Sequence, residues 1–276
     1  MDSEIIQLLS KDGTPLHGVI WTCPNPKAIV CVVHGLGEHS GRYSHVAEYF
    51  TSNNIAVFAY DQRGHGLSGG KRGHTPSYDI LLDDVEELLK EARVTHNDLP
   101  IFLYGHSFGG NVVANYALIR STNELSGIIL SSPWLKLATE PPAGQVKMAK
   151  IVSKILPSLT QPNGLNVEDI STDEAAVEAY SNDPLVHNRI STKLFTEVYN
   201  AGLWAIEHAD RLKNPMLVFH GSDDNITSAG GSEEFAERAG SLAEFKFWEN
   251  MKHETHNDLR KEEVISHLHQ WISARI

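Results

Sequence analysis

The chain has 276 residues, 41% of them hydrophobic, which is long enough to build one large α/β domain that carries an insertion. Its formal charge of -12 at pH 7 argues against a nucleic-acid partner, because binding to phosphates requires clustered Lys and Arg. Two cysteines are too few for a disulfide framework, and the lack of an apolar signal segment or of an apolar run near ~18 residues predicts a cytoplasmic protein.

Short apolar runs with little alternation follow one another along the chain, as in strands buried on both faces of a sheet. The first two predicted strands, Ile5 to Leu8 and Pro15 to Trp21, form an opening hairpin. The strands predicted after it are Ala28 to Val33, Ile55 to Tyr60, Ile101 to Tyr104, Gly127 to Leu130, Met216 to Phe219 and Phe245 to Trp248. The predicted helices between them are Tyr43 to Ser52, Ser77 to His96, Gly110 to Arg120, Gly231 to Ala239 and Glu262 to Arg275. This alternation predicts an α/β fold with a mostly parallel central sheet flanked by helices.

The regular alternation breaks in the third quarter of the chain and resumes after it. Residues 134–205 are helix-rich and contain no convincing core strand. We therefore predict that this segment is a helical cap, inserted into a core formed by residues 1–133 and 206–276.

One helix of the predicted cap has an unusual distribution of side chains. Between Gly144 and Leu159, apolar residues form a broad arc, and Lys147, Lys150 and Lys154 share the opposite stripe. Two interpretations stay open. The helix lies at a lipid interface and gives peripheral membrane contact through the cap, or its arc only packs on the core while its lysines meet water.

A short motif in the middle of the chain indicates a catalytic serine. Gly105-His106-Ser107-Phe108-Gly109 follows a strand pattern and runs directly into a helix pattern. Such a strand-turn-helix junction is typical of a nucleophile elbow, in which a sharp bend exposes the serine hydroxyl and the two glycines permit close backbone approach. The neighbouring helix N-terminus places free amides near developing negative charge.

Two later loops carry the side chains that a catalytic serine requires. The turn after the seventh predicted strand contains Asp223 and Asp224, and the loop after the last strand contains His253 and His256. The order Ser, Asp, His is that of α/β-hydrolases. The residues alone do not separate Asp223 from Asp224, or His253 from His256.

Four separated blocks give the chain a resemblance to a known family. They are HGLGEHSGRY from His34, DQRGHGLS from Asp61, the Ser107 turn, and the pair formed by HGxxD from His220 and HxxH from His253. With these blocks the chain resembles the monoacylglycerol lipases, which are serine α/β-hydrolases, over nearly its whole length. The resemblance implies the α/β-hydrolase fold and hydrolysis of a monoacylglycerol or similar lipid ester to fatty acid and glycerol through an acyl-enzyme.

The same resemblance implies roles for individual residues. Ser107 is expected to be the nucleophile, His253 the general base, and Asp224 the group that orients the imidazole. The backbone amides of Leu36 and Phe108 are expected to form the oxyanion hole.

Three polar residues are implied to bind the glycerol end of the substrate. They are Glu38 and Arg42 in the first block and His256 in the last. Polar groups placed near the nucleophile suit an alcohol that carries further hydroxyls. An alternative stays open, in which Glu38 and Arg42 form a local ion pair that braces the loop.

Other functions compete with this interpretation. A lysophospholipase or a broad-specificity carboxylesterase would use the same three catalytic residues, and a noncatalytic ligand-binding protein could share the scaffold. The segment from His253 to Asn257 misses the H-E-x-x-H metal motif by one residue, so neither a metal nor another cofactor is expected.

Overall fold

A computed structural model describes residues 2–276. The strands are β1 (Asp2–Leu9), β2 (Pro15–Thr22), β3 (Ala28–Val33), β4 (Ile55–Tyr60), β5 (Ile101–His106), β6 (Leu125–Ser131), β7 (Thr160–Pro162), β8 (Arg189–Ser191), β9 (Met216–Gly221) and β10 (Ala243–Trp248). The α-helices are α1 (Ser44–Ser52), α2 (Asp79–Thr95), α3 (Phe108–Ile119), α4 (Ala143–Ile155), α5 (Glu174–Asn182), α6 (Thr192–Glu207), α7 (Ala229–Ala239) and α8 (Lys261–Ser273).

The main sheet has the strand order β1-β2-β4-β3-β5-β6-β9-β10. The hairpin of β1 and β2 is antiparallel, β2 pairs antiparallel with β4, and the remaining neighbours are parallel. Strands β3, β4, β5 and β9 are buried along their whole length, which explains why they read as continuous apolar runs. The predicted α/β fold with a mostly parallel sheet is confirmed.

Helices cover both faces of this sheet. On one face α1 and α8 pack on a core cluster that includes Phe50 and Trp271. On the other face α2, α3 and α7 pack on a second cluster, together with α6 from the segment predicted as a cap. Because the parallel strands are covered on both sides, their carboxyl ends are the place where loops from several strands can meet.

The predicted element bounds agree with the structure to within a few residues, with one omission. Within residues 134–205, β7 and β8 pair antiparallel as a small second sheet. Three residues per strand leave no readable alternation, so the sequence pattern did not predict them. The bounds of the cap itself stay a prediction.

Helix α4 lies at the surface of this segment. All of its residues are described and none of them is buried. The side chains of Met148, Ile151 and Ile155 are 59%, 47% and 71% exposed. No helix among residues 2–276 has the length and apolar character needed to cross a membrane.

Candidate active site

Ser107 occupies a strained turn between β5 and α3. Its φ of 53° and ψ of -115° lie in a region that residues with a side chain rarely adopt. A β-carbon at Gly105 would lie 2.5 Å from the carbonyl oxygen of Gly109, and one at Gly109 would collide with the carbonyl oxygen of Val33. Both glycines are therefore required for the bend, which lifts the serine above the carboxyl end of β5.

The turn after β9 separates the two candidate aspartates. Asp223 is exposed and its carboxylate accepts a hydrogen bond from Ser222 Oγ at 2.7 Å. Asp224 is buried, and its Oδ1 accepts the backbone N–H groups of Ile226 and Thr227 at 2.8 and 2.9 Å. The carboxylate that is held rigidly inside the protein is that of Asp224.

His253, in the loop after β10, contacts this carboxylate. Its Nδ1 lies 2.7 Å from Asp224 Oδ2, and its carbonyl oxygen accepts a hydrogen bond from Ser132 Oγ at 2.8 Å. Since an ionised carboxylate only accepts hydrogen bonds, the imidazole carries its proton on Nδ1 when neutral. Nε2 then keeps its lone pair, and no hydrogen bond to it is found within residues 2–276. Burial disfavours the imidazolium, but the charge of Asp224, its hydrogen bond and the charges of Glu254 and Glu38 together outweigh burial and raise the pKa of His253.

The predicted oxyanion residues lie where β3 and β5 end. Leu36 is in the loop after β3, and Phe108 is the first residue of α3. In the described part of the chain, neither backbone amide donates a hydrogen bond to another protein group. Glu38 shapes the loop of Leu36, because its Oε1 accepts the N–H of Gly35 at 2.5 Å. Both amides are thus available to an oxygen that carries negative charge.

Arg42 forms a buried ionic cluster with two glutamates. Its Nη1 donates to Glu38 Oε2 at 2.9 Å and to Glu254 Oε1 at 2.7 Å, and its Nη2 donates to Glu254 Oε2 at 2.7 Å. Tyr43 adds a hydroxyl donor to Glu38 at 2.9 Å. The Arg42 guanidinium holds the pKa of the Glu254 carboxyl at about 2 despite its burial. We call Glu38, Arg42 and Glu254 the ionic brace, because they join the loop after β3 to the loop that contains His253.

His256 is packed behind the site. It is fully buried and stacks on the ring of Tyr43 with centroids 5.0 Å apart. Within the described residues, neither of its ring nitrogens has a hydrogen-bond partner. Burial lowers the pKa of His256 to about 3, so its ring is neutral at pH 7.

Ser107, His253 and Glu38 line one cavity of about 280 Å³. Apolar side chains from the core and from residues 134–205 form most of its wall, namely Leu36, Trp134, Leu137, Leu165, Ile170, Ile190, Phe195 and Ile226. Polar residues also line it, including Thr139, Asn163, Asn166, Asp169, Tyr180, Asn225, Thr227 and Glu254. Arg42 and His256 are not among the lining residues. The cavity therefore suits a ligand that has both an apolar part and a polar part.

Several residues that shape the site were not predicted from the sequence. Glu254 stands next to His253, but nothing in the sequence indicates its bond to Arg42, which lies 212 positions away. His220 belongs to the HGxxD block and was given no role, although its Nε2 lies 2.8 Å from Asp224 Oδ2. The signal that could have indicated a contact is the position of His220 four residues before Asp224.

Comparisons with known proteins agree with this geometry. The family described as serine aminopeptidase, S33, matches residues 24–260. A Dictyostelium discoideum protein described as an uncharacterized abhydrolase domain-containing protein is 39% identical over the whole chain, which spans 30% of that relative. The monoacylglycerol lipase of Mycolicibacterium smegmatis is 32% identical, with 93% of this chain and 92% of that protein covered. The crystal structure of Paleococcus ferrophilus monoacylglycerol lipase is 34% identical and has a TM-score of 0.87, with 95% of this chain and 99% of that chain covered.

Proposed function

The chain belongs to the serine aminopeptidase S33 family, and from that premise we propose that it is a serine carboxylic ester hydrolase that cleaves monoacylglycerols to fatty acid and glycerol. The observation that carries this proposal is the cavity shared by Ser107 and His253, whose imidazole is already bonded to a buried carboxylate. Relatives of similar length that are named monoacylglycerol lipases support the substrate class.

In the proposed reaction, Ser107 Oγ attacks the ester carbonyl carbon while His253 Nε2 takes its proton. The imidazolium then gives this proton to the glycerol oxygen as the carbon-oxygen bond breaks, which leaves an acyl group on Ser107. Water repeats both steps and releases the fatty acid. Asp224 keeps the imidazole in the required tautomer and stabilises its charged form.

The backbone amides of Leu36 and Phe108 are proposed to donate hydrogen bonds to the carbonyl oxygen as it becomes negatively charged. Within residues 2–276 both amides are free of other acceptors, with Leu36 in the loop after β3 and Phe108 at the start of α3. One such donor is typically worth about 3 kcal/mol in the transition state.

Substitution of the nucleophile and the base tests the mechanism. Ser107→Ala and His253→Ala are each expected to lower turnover by a factor of about 1000 or more, because the two side chains act as a unit. Ser158→Ala, at an exposed position, is the matched control and should keep wild-type turnover. A serine-directed fluorophosphonate should label the control but not Ser107→Ala. Retention of a tenth of the turnover in either active-site variant would refute the mechanism.

The polar end of the cavity is proposed to take the glycerol group, with Glu38, Arg42 and His256 as the selecting residues. Glu38 lines the cavity, and one lone pair of its Oε2 is left for a glycerol hydroxyl. Arg42 lies behind Glu38, and its contacts favour the alternative that it braces the loop. The ring nitrogens of His256 have no hydrogen-bond partner within residues 2–276, and they form hydrogen bonds with a glycerol hydroxyl only if the cavity extends to them.

The apolar wall is proposed to hold the acyl chain, with residues 134–205 acting as a cap over the nucleophile. Trp134, Leu165 and Phe195 of this segment line the cavity together with core residues. Hydrolysis of a monoacylglycerol, a diacylglycerol, a lysophospholipid and an aminoacyl arylamide should be compared at matched acyl length. The monoacylglycerol is expected to be the best substrate, and preference for any of the others would refute the assigned class.

Peripheral membrane contact through α4 is the last part of the proposed function. Its exposed face combines Met148, Ile151 and Ile155 with lysines 147, 150 and 154 on the adjoining helix positions. An arc that only packs on the core does not account for three exposed apolar side chains. On an anionic bilayer these side chains can enter the interface while each lysine contributes about 1 kcal/mol. Cytoplasmic location, with reversible contact of this kind, stays a prediction of the sequence.

Charge substitution tests the membrane contact. Changing Lys147, Lys150 and Lys154 together to Gln should lower cosedimentation with anionic vesicles by about tenfold or more and leave hydrolysis of a soluble short-chain ester unchanged. The control replaces three exposed lysines outside the cap, Lys27, Lys90 and Lys213, with Gln, which removes the same total charge. Equal binding of the two triple variants at low salt would exclude a specific contact of α4.

A further inference from the structure

Asp224 is held by more donors than orientation of one imidazole requires. Its Oδ1 accepts two backbone N–H groups, and its Oδ2 lies within 2.9 Å of three side chains, His253, His220 and Thr227. Two histidines thus approach the same carboxylate oxygen from different elements. His253 comes from the loop after β10, whereas His220 lies within β9.

The surroundings of His220 fix its tautomer. The residue has no exposed surface, its Nε2 lies 2.8 Å from Asp224 Oδ2, and its Nδ1 lies 2.9 Å from Ser232 Oγ. Because the carboxylate only accepts, Nε2 carries the proton and Nδ1 accepts the hydroxyl hydrogen of Ser232. Ser232 is also fully buried, so no other arrangement satisfies both groups.

We infer that His220 is a positioning residue for the proposed active site, a buried N–H donor, fixed by Ser232, that holds the Asp224 carboxylate toward His253 and shares its charge. The inference rests on the proposed function, since it concerns the residue that orients the general base. His220 itself does not line the cavity and touches no reacting atom.

The contact between His220 and Asp224 affects the pKa of His253, which a residue that only stabilises the fold would not do. A donor on Oδ2 withdraws charge from the atom that stabilises the His253 imidazolium. Without it, Asp224 stabilises the imidazolium more strongly, and the pKa of His253 rises. The other ionisable groups near the His253 ring are Glu38, Glu254, His106 and His256. Substitution at position 220 leaves all four in place.

The pH dependence of kcat/KM for a soluble ester is the test. His220→Leu fills the space but has no hydrogen-bond donor, and it should lower kcat about tenfold, equal to about 1.4 kcal/mol. It should also move the acid limb of the kcat/KM profile to higher pH. His220→Gln places an amide N–H near the position of Nε2 and should restore most of kcat and the wild-type limb. Thr122→Val removes a buried hydroxyl bonded to Asn214, away from the cavity lining, and controls for a general loss of stability.

The outcomes separate this inference from the proposed function. If Ser107→Ala is inactive and His220→Leu keeps the wild-type kcat and acid limb, only the role of His220 is refuted. Equal profiles for the Leu and Gln variants would refute it too. If Ser107→Ala stays active, the proposed function itself fails. Should His220→Leu not fold, Ser232→Ala takes its place and should move the limb in the same direction by a smaller amount; an unchanged limb would overturn the inference.

Discussion

Loss of Arg42 should destabilise the protein strongly and in a pH-dependent way. The side chain of Arg42 is only 10% exposed, and those of its partners Glu38 and Glu254 are 3% and 4% exposed. Arg42→Ala therefore leaves two buried carboxylates without their cation. Removal of one member of a buried ionic pair typically costs about 3–5 kcal/mol.

The depressed pKa of Glu254 gives a second value for the stabilisation that Arg42 contributes. Its displacement from an ordinary value of 4.5 to about 2 corresponds to about 3 kcal/mol of native-state stabilisation at neutral pH. This stabilisation is present above the unfolded pKa of 4.5 and is lost as the pH falls through about 2. In Arg42→Ala the depression of this pKa disappears. The difference in unfolding free energy between variant and wild type should hence be nearly constant from pH 8 to about 5 and shrink as the pH falls from 4.5 toward 2.

Urea unfolding at about pH 3 to 8 measures this difference, and a thermal midpoint lowered by about 10 °C at pH 7 is expected for a chain of this size. Arg120→Ala is the control, because Arg120 pairs with Asp79 and Asp83 at the surface and should cost less than about 1 kcal/mol at every pH. A loss below about 1 kcal/mol for Arg42→Ala at pH 7, or a loss at about pH 3 as large as that at pH 7, would show that the ionic brace does not stabilise the fold in this way.

Three further predictions concern activity. Asp224→Asn should lower kcat at least 100-fold more than Asp223→Asn, and the reverse order would assign the proposed acid to Asp223. Glu38→Gln and His256→Ala should lower kcat/KM for a monoacylglycerol at least threefold more than for an aryl ester of the same acid, which has no glycerol hydroxyls; equal losses would mean that these residues only support the loop. Because the imidazole of His253 must be neutral to act as base and its pKa is raised above 6.5, kcat/KM should fall as the pH drops through that raised value, and an acid limb below pH 6 would contradict the assignment.

The sequence predicted the strands and helices well because burial on both faces leaves a strong signal. The continuous apolar letters of β3, β4 and β9 correspond to strands with no exposed residue. The Ser107 turn was equally readable, since Gly105, Ser107 and Gly109 lie within five consecutive residues, although the close contact that requires Gly109 is with Val33 in β3. Local rules were sufficient for these features.

Contacts between distant segments were not predictable in the same way. The choice of Asp224 over Asp223 came from the resemblance alone, and its physical basis is the bonds that only the folded turn supplies. The ionic brace joins positions 42 and 254, and a charge pattern in one sequence does not indicate which of many acids an arginine meets. Exposure of the apolar side chains of α4 likewise depends on what packs beside the helix, which periodicity does not report.

The end of β6 shows why the candidate site depends on the whole sheet. This strand carries none of the three proposed catalytic residues, yet Ser131 accepts the backbone N–H of Ser107 at 2.9 Å through its carbonyl oxygen. Its neighbour Ser132 donates from Oγ to the carbonyl oxygen of His253 at 2.8 Å, and the Ser132 carbonyl oxygen lies 3.1 Å from the hydroxyl of Thr227. Since β6 lies between β5 and β9, its end contacts all three loops. The register of these strands therefore sets the geometry of the candidate site, and a shift of β6 by one residue would disturb the serine, the aspartate turn and the histidine loop together.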